Sequence, residues 1–139
     1  MSLLLPETNA AHSMLAPLAS WALNTLDATP PKLIGVELGD DVVSMQVIEL
    51  EANDPLGDLA NLAAPDSWSA IVVLAEATAC RLGTPAAARH VQLAHAVDRL
   101  HHGATEYRSR SGTTASIRAS LGRLDELCRG LICGPTSHR

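Results

Sequence analysis

His95, Asp98, His101 and His102, within the stretch His95 to His102, are the only cluster in the chain that resembles a set of metal ligands. Imidazole and carboxylate together suit zinc or another divalent metal. Their spacing fits no familiar metal motif, and the chain has no H-E-x-x-H. "HVQLAHAVDRL", His90 to Leu100, alternates as a strand does, with Val91, Leu93, His95 and Val97 on one face. Strand parity then points His95 and Asp98 to opposite sides. "HHG" reads as a polar turn after that strand. His101 and His102 are therefore the candidate metal ligands, and His95, Asp98 and Arg99 candidates for ligand binding. Asp98 and Arg99 can also form or join an ion pair at a strand end, which on a surface contributes little.

Glu76 stands inside "PDSWSAIVVLAEATACRL", Pro65 to Leu82, the most apolar stretch of the chain. A carboxylate buried there needs a partner or a raised pKa, and such groups mark sites. If the strand ends near Leu74, Glu76 faces water instead. Cys80, Cys128 and Cys133 form no CxxC pair, and Cys128 fits an apolar helix stripe as a buried free thiol. Nucleophilic catalysis has no G-x-S-x-G, and "SRSGTTAS" is only a hydroxyl-rich loop. No glycine-rich phosphate loop occurs, and Lys32 is the only lysine.

Eight elements must position these residues. Leu18, Trp21, Ala22 and Leu26 follow helical spacing, with Pro17 in the first turn and a looser turn over residues 7–14. "DATPPK" ends that helix, because consecutive prolines cannot continue it. "KLIGVEL" and "VVSMQVIEL" read as strands joined through "GDD", a hairpin link. In the second, Val43, Met45, Val47 and Glu49 share a face, and the imperfect alternation predicts partial cover on both faces. Asp54 and Pro55 open a short helix carrying Leu56, Leu59 and Leu62. Ser69 to Cys80 is too short for a membrane span, and the β-branched run Ile71–Val73 favours a central buried strand. "GTPAAAR", Gly83 to Arg89, reads as a loop before the His90 strand. "ATEYRSR", Ala104 to Arg110, is a polar strand near a sheet edge, followed by an "SGTT" loop. Ile117, Leu121, Leu124, Cys128 and Leu131 form the stripe of a last helix, with Arg123, Asp125, Glu126 and Arg129 off it. Gly122 moves its start towards Ser120.

These elements predict an α+β domain in the order αββαβββα. A mostly antiparallel sheet of about five strands carries N- and C-terminal helices. The order resembles that of roadblock and profilin-like sandwiches, a likeness of fold that carries no function. The 139 residues suit one domain, with residues 1–12 and 134–139 as loose ends.

Composition excludes some partners. The net charge is −5, and no basic cluster exists beyond Arg108 and Arg110. With one Tyr, two Trp and no Phe, a stacking platform for single strands is also missing, so no nucleic acid is expected. No window is long and apolar enough for a membrane helix, and "MSLLLPETN" lacks the basic start of a signal peptide. A cytoplasmic protein without cofactor follows as the expectation.

"APDSWSAIVVLAEATACRL", "VQLAHAVDRL" and "LGRLDELCRGLICGPT" resemble a family of small uncharacterised actinobacterial proteins. The matching positions are Pro65, Trp68, Ala70, Val97, Asp98, Arg99, Gly122, Arg123, Pro135 and Thr136, over the last two thirds of the chain. Ala75 and Ala77 stand near positions that the family often fills with glycine. The resemblance implies an actinobacterial source and a single domain, and no activity.

The leading expectation is a non-catalytic protein–protein interaction module of a bacterial cytoplasm, associating with itself as a homodimer or with another protein. The alternative is a small-molecule or metal-binding protein, such as a hydrolase, built on Glu76, His95 and Asp98 or on the His101/His102 turn. Convergence of Glu76 and His95 in one pocket would favour the alternative.

Overall fold

The computed structural model describes residues 14–39, 43–81, 84–109, 114–116 and 122–133. The fold is α+β, with helices on both faces of an antiparallel sheet. In chain order the elements are α1 (Leu15–Thr25), β1 (Lys32–Leu38), β2 (Val43–Glu49), α2 (Pro55–Asn61), β3 (Ala70–Arg81), β4 (Thr84–Asp98), β5 (Gly103–Ser109), β6 (Thr114–Ser116) and α3 (Arg123–Cys133). The sheet runs β2-β1-β3-β4-β5-β6, and every neighbouring pair is antiparallel.

Alternation divides the core in two. Ile34, Val36, Val72, Leu74, Ala94 and Ala96 face α1, which buries Leu15, Leu18, Ala19, Ala22 and Leu23 against them. Alanines on β4 let α1 approach closely, and the helix lies over β3, β4 and β5. Leu33, Ile71, Val73 and Val97 face the other way and meet Leu59 of α2 with Cys128 and Ile132 of α3. Each fully buried Leu or Ile contributes roughly 1.5–3 kcal/mol of transfer free energy. Lys32 extends its ammonium to the carbonyls of Asp27 (2.6 Å) and Pro30 (2.9 Å), closing the link between α1 and β1. Asp54 caps α2 as expected, its carboxylate accepting from the Gly57 amide at 3.1 Å, with Pro55 as the first helical residue.

Several expectations change. "GTPAAAR" is not a loop: Thr84–Arg89 belongs to β4, which extends the β3–β4 hairpin. Alanine-rich sequence has little strand preference of its own, and pairing with β3 decides its state. Among the described residues β5 pairs with β4 from Val91 to Val97. The polar strand β5 does lie near a sheet edge, as expected, with the short β6 paired outside it along Glu106–Arg108. Trp21, placed on the apolar stripe of α1 by spacing, is exposed, while Leu15 and Leu23 take the buried positions. β2, expected to be partly covered on both faces, is exposed along almost its whole length. In α3, which begins at Arg123, the buried positions are Cys128 and Ile132. The turn expected over residues 7–14 falls mostly, and Ile117, Leu121 and both expected loose ends fall wholly, outside the described residues. Among the described residues no helix is long and apolar enough to cross a membrane.

Candidate functional site

Polar side chains gather where the β4–β5 turn meets α3. His95 lies on the β4 row that faces α3, between Leu93 and Val97, and is 4 % exposed. A histidine on an apolar row must find partners for both ring nitrogens. Its Nδ1 is 2.7 Å from Thr105 Oγ1 on β5, and its Nε2 is 2.7 Å from Asp125 Oδ1 on α3. An ionised carboxylate only accepts, so Nε2 carries the proton and Nδ1 accepts from the Thr105 hydroxyl. Asp125 Oδ2 accepts in turn from Arg129 Nε at 2.8 Å, one helical turn on. Arg129 Nη1 donates to the His101 carbonyl in the β4–β5 turn. The chain of donors Thr105, His95, Arg129 thus ties β5, β4, α3 and the turn together.

The electrostatics follow from burial. Desolvation pushes the His95 pKa below its ordinary value, and the Asp125 hydrogen bond and charge offset only part of that. Burial raises the Asp125 pKa, but hydrogen bonds from Arg129 and His95 outweigh it and hold the carboxyl below its ordinary value. A neutral imidazole bound to an anionic carboxylate is the consistent state. Asp125 also sits in the first turn of α3, where the helix dipole favours an anion.

Hydroxyl, imidazole and carboxylate in a row are the parts of a hydrolase triad, but their order here is reversed. Thr105 is buried, and the carboxylate lies at the solvent side. A triad needs its hydroxyl at the substrate and its carboxylate behind the imidazole. The row is a structural clamp between α3 and the sheet.

The turn itself is equally occupied. Asp98 is 1 % exposed. Its Oδ1 accepts from the amides of Leu100 and His102, both at 2.9 Å, and its Oδ2 is 3.0 Å from His102 Nδ1. The side-chain partner of Asp98 is therefore His102 and not Arg99. Arg99 donates to three carbonyls: Trp68 (2.5 Å), Ile132 (2.7 Å) and Pro65 (2.9 Å). Pro65, Trp68 and Arg99, three residues of the pattern described above, are thereby joined at the last turn of α3. Trp68 lies flat on the backbone of Gly35: a Cβ there would stand 2.2 Å from the indole Cε2. His101 adopts φ 67°, in the left-handed region that side chains enter at a cost. Its Nδ1 is 3.6 Å from the Cys133 thiol, whose pKa burial raises.

Glu76 is elsewhere. It lies on the α1 face of β3, exposed, with Oε2 accepting from Thr29 Oγ1 at 2.9 Å and Oε1 3.1 Å from His90 Nε2. His95 projects from the opposite face, so the two do not converge. Among the described residues no group of three or more His, Cys, Asp or Glu is placed to hold a metal ion.

Thr105, Asp125 and Arg129 were not legible as site residues. The available signals were the inward parity of His95 and the i, i+4 spacing of Asp125 and Arg129.

The other unusual surface is β2. Val43, Met45 and Val47 are paired with Leu38, Val36 and Ile34 of β1 and so lie on the α1 face. They are 39 %, 38 % and 44 % exposed. The strand forms one edge of the sheet and pairs with β1 in unbroken register over its whole length. It has no bulge, proline or lysine, the devices that protect open edges. Comparison of the chain with protein-family models, with curated proteins and with solved structures finds no match.

Proposed function

We propose that this protein is a non-catalytic protein–protein interaction module of a bacterial cytoplasm that engages its partner by strand addition along β2. The exposed, unprotected β2 edge with its apolar row carries this reading. An extended partner would gain main-chain hydrogen bonds from the edge and specificity from alternate side chains. The polar cluster at α3 supports the same reading from the other side. Its imidazole, carboxylate and guanidinium groups already bond one another or backbone, so among the described residues this cluster offers the ligand-binding alternative no unengaged set of groups.

The test is photocrosslinking from a benzoylphenylalanine placed at Met45, in a lysate of the source cell, with the same probe at exposed Asp66 as control. A discrete adduct specific to position 45 is expected. Equal, diffuse labelling from both positions would refute the reading.

A further inference from the structure

The chemistry of β2 points to one occupant of its edge. We infer that it is a second copy of this chain, paired antiparallel through β2 in a register centred on Met45; this rests on the interaction reading above. In an antiparallel pair, residues that face each other have side chains on the same face. A two-fold axis at Met45 sets Val43 against the partner copy's Val47 and Met45 against itself. The exposed row Val43, Met45, Val47 then meets an identical row, reversed, and the cross-strand pairs that these three residues make are apolar. On the other face Ser44 comes opposite Gln46, two groups that can hydrogen-bond. Both faces of the segment are self-complementary in the same register, as a two-fold interface requires.

Charge confines the pairing to the centre of the strand. The only ionisable residue of β2 is Glu49, and beyond Val43–Val47 the same register sets it opposite position 41 of the second copy, an aspartate. The paired segment Val43–Val47 itself is uncharged. Repulsion between more distant charges is screened beyond about 8 Å at physiological ionic strength. A register centred on Gln46 would instead set Glu49 against Val43, and it breaks the apolar row. In the Met45 register the two sheets become one continuous sheet, and both α1 helices lie on the same side of it.

The register is read by disulfide trapping on the purified full chain. Met45→Cys places the new thiol opposite itself, whereas Gln46→Cys does not. Mild oxidation should give a disulfide dimer with Met45→Cys, and at most a tenth as much with Gln46→Cys or with the unaltered chain. Met45→Lys puts like charges opposite each other and should weaken the dimer at least tenfold in sedimentation. Because Met45 is exposed, that variant should keep the parent's circular dichroism and melting curve. A stronger disulfide from Gln46→Cys would overturn the register. A monomer at all concentrations would overturn the second copy, and the lysate adduct then separates two cases. A foreign protein on position 45 would keep β2 as an interaction edge, whereas no adduct would remove the interaction reading as well.

Discussion

Replacing His95 by glutamine should remove a defined part of the pH dependence of stability. In the folded protein desolvation holds the His95 pKa below its ordinary value of 6.5. The folded state therefore takes up its proton at lower pH than the unfolded chain does. Above pH 6.5 both states carry a neutral imidazole, and the term is flat. As the pH falls below 6.5 the unfolded chain binds the proton first, and stability is lost. The loss continues until the folded pKa is reached. Its slope approaches about 1.4 kcal/mol per pH unit for one proton. Between pH 7.5 and 5.5 the wild-type chain should thus lose up to about 1.4 kcal/mol through this residue. The neighbouring Asp125 stays charged over that range: its pKa is held below its ordinary 3.8, so its own contribution is lost only at lower pH. Glutamine can donate to Asp125 but does not titrate. His95→Gln should lower stability at pH 7.5 by about 1–2 kcal/mol, as one imperfectly replaced buried hydrogen bond does. Its pH profile should be flatter than that of wild type by the amount above. The assay is urea unfolding followed by circular dichroism at half-unit steps from pH 7.5 to 5.5. Parallel profiles for the two proteins would refute the assignment of a buried neutral imidazole.

Three further outcomes test the packing. Gly35→Ala should destabilise by about 3 kcal/mol in urea unfolding, since buried Trp68 leaves no room for a Cβ; a loss under about 1 kcal/mol would contradict the close approach. Arg99→Ala should cost about 3 kcal/mol by leaving three carbonyls without their charged donor, and hydrogen exchange should show the last turn of α3 opening first. Cys128, whose pKa burial pushes up to about 12, should resist maleimide at pH 8 in the native protein and react on unfolding; mass spectrometry of the labelled peptides reads this.

Much of the fold was legible because local chemistry and tertiary structure agree. Asp54 and Pro55 start α2 as a capping aspartate and an N1 proline should. β-branched Ile71–Val73 marks the central strand, and alternation on β4 placed His95 inward. Where the structure departs from sequence reading, a long-range partner decides. Thr84–Arg89 is strand through pairing with β3, although its alanines carry no such preference. Trp21 fits the spacing of the α1 stripe, yet small Ala94 and Ala96 admit the face of Leu15 and Leu23 in its place. The clamp on His95 was half legible. Parity shows that the ring is buried, but its partners lie 10 and 30 residues away, beyond the reach of any local pattern. Exposure of β2 was hidden because its alternation also fits a covered strand, and only the strand order leaves it at the edge.

The central claim is that the β2 edge receives a second copy of the chain. Sedimentation velocity of the purified, untagged protein and of Met45→Lys, from about 1 to 100 µM, the range in which a micromolar association is visible, tests it most directly. The account predicts a dimer of the 14.6 kDa chain that Met45→Lys converts to monomer with its fold intact. A wild-type monomer throughout, or a dimer indifferent to the lysine, would contradict it.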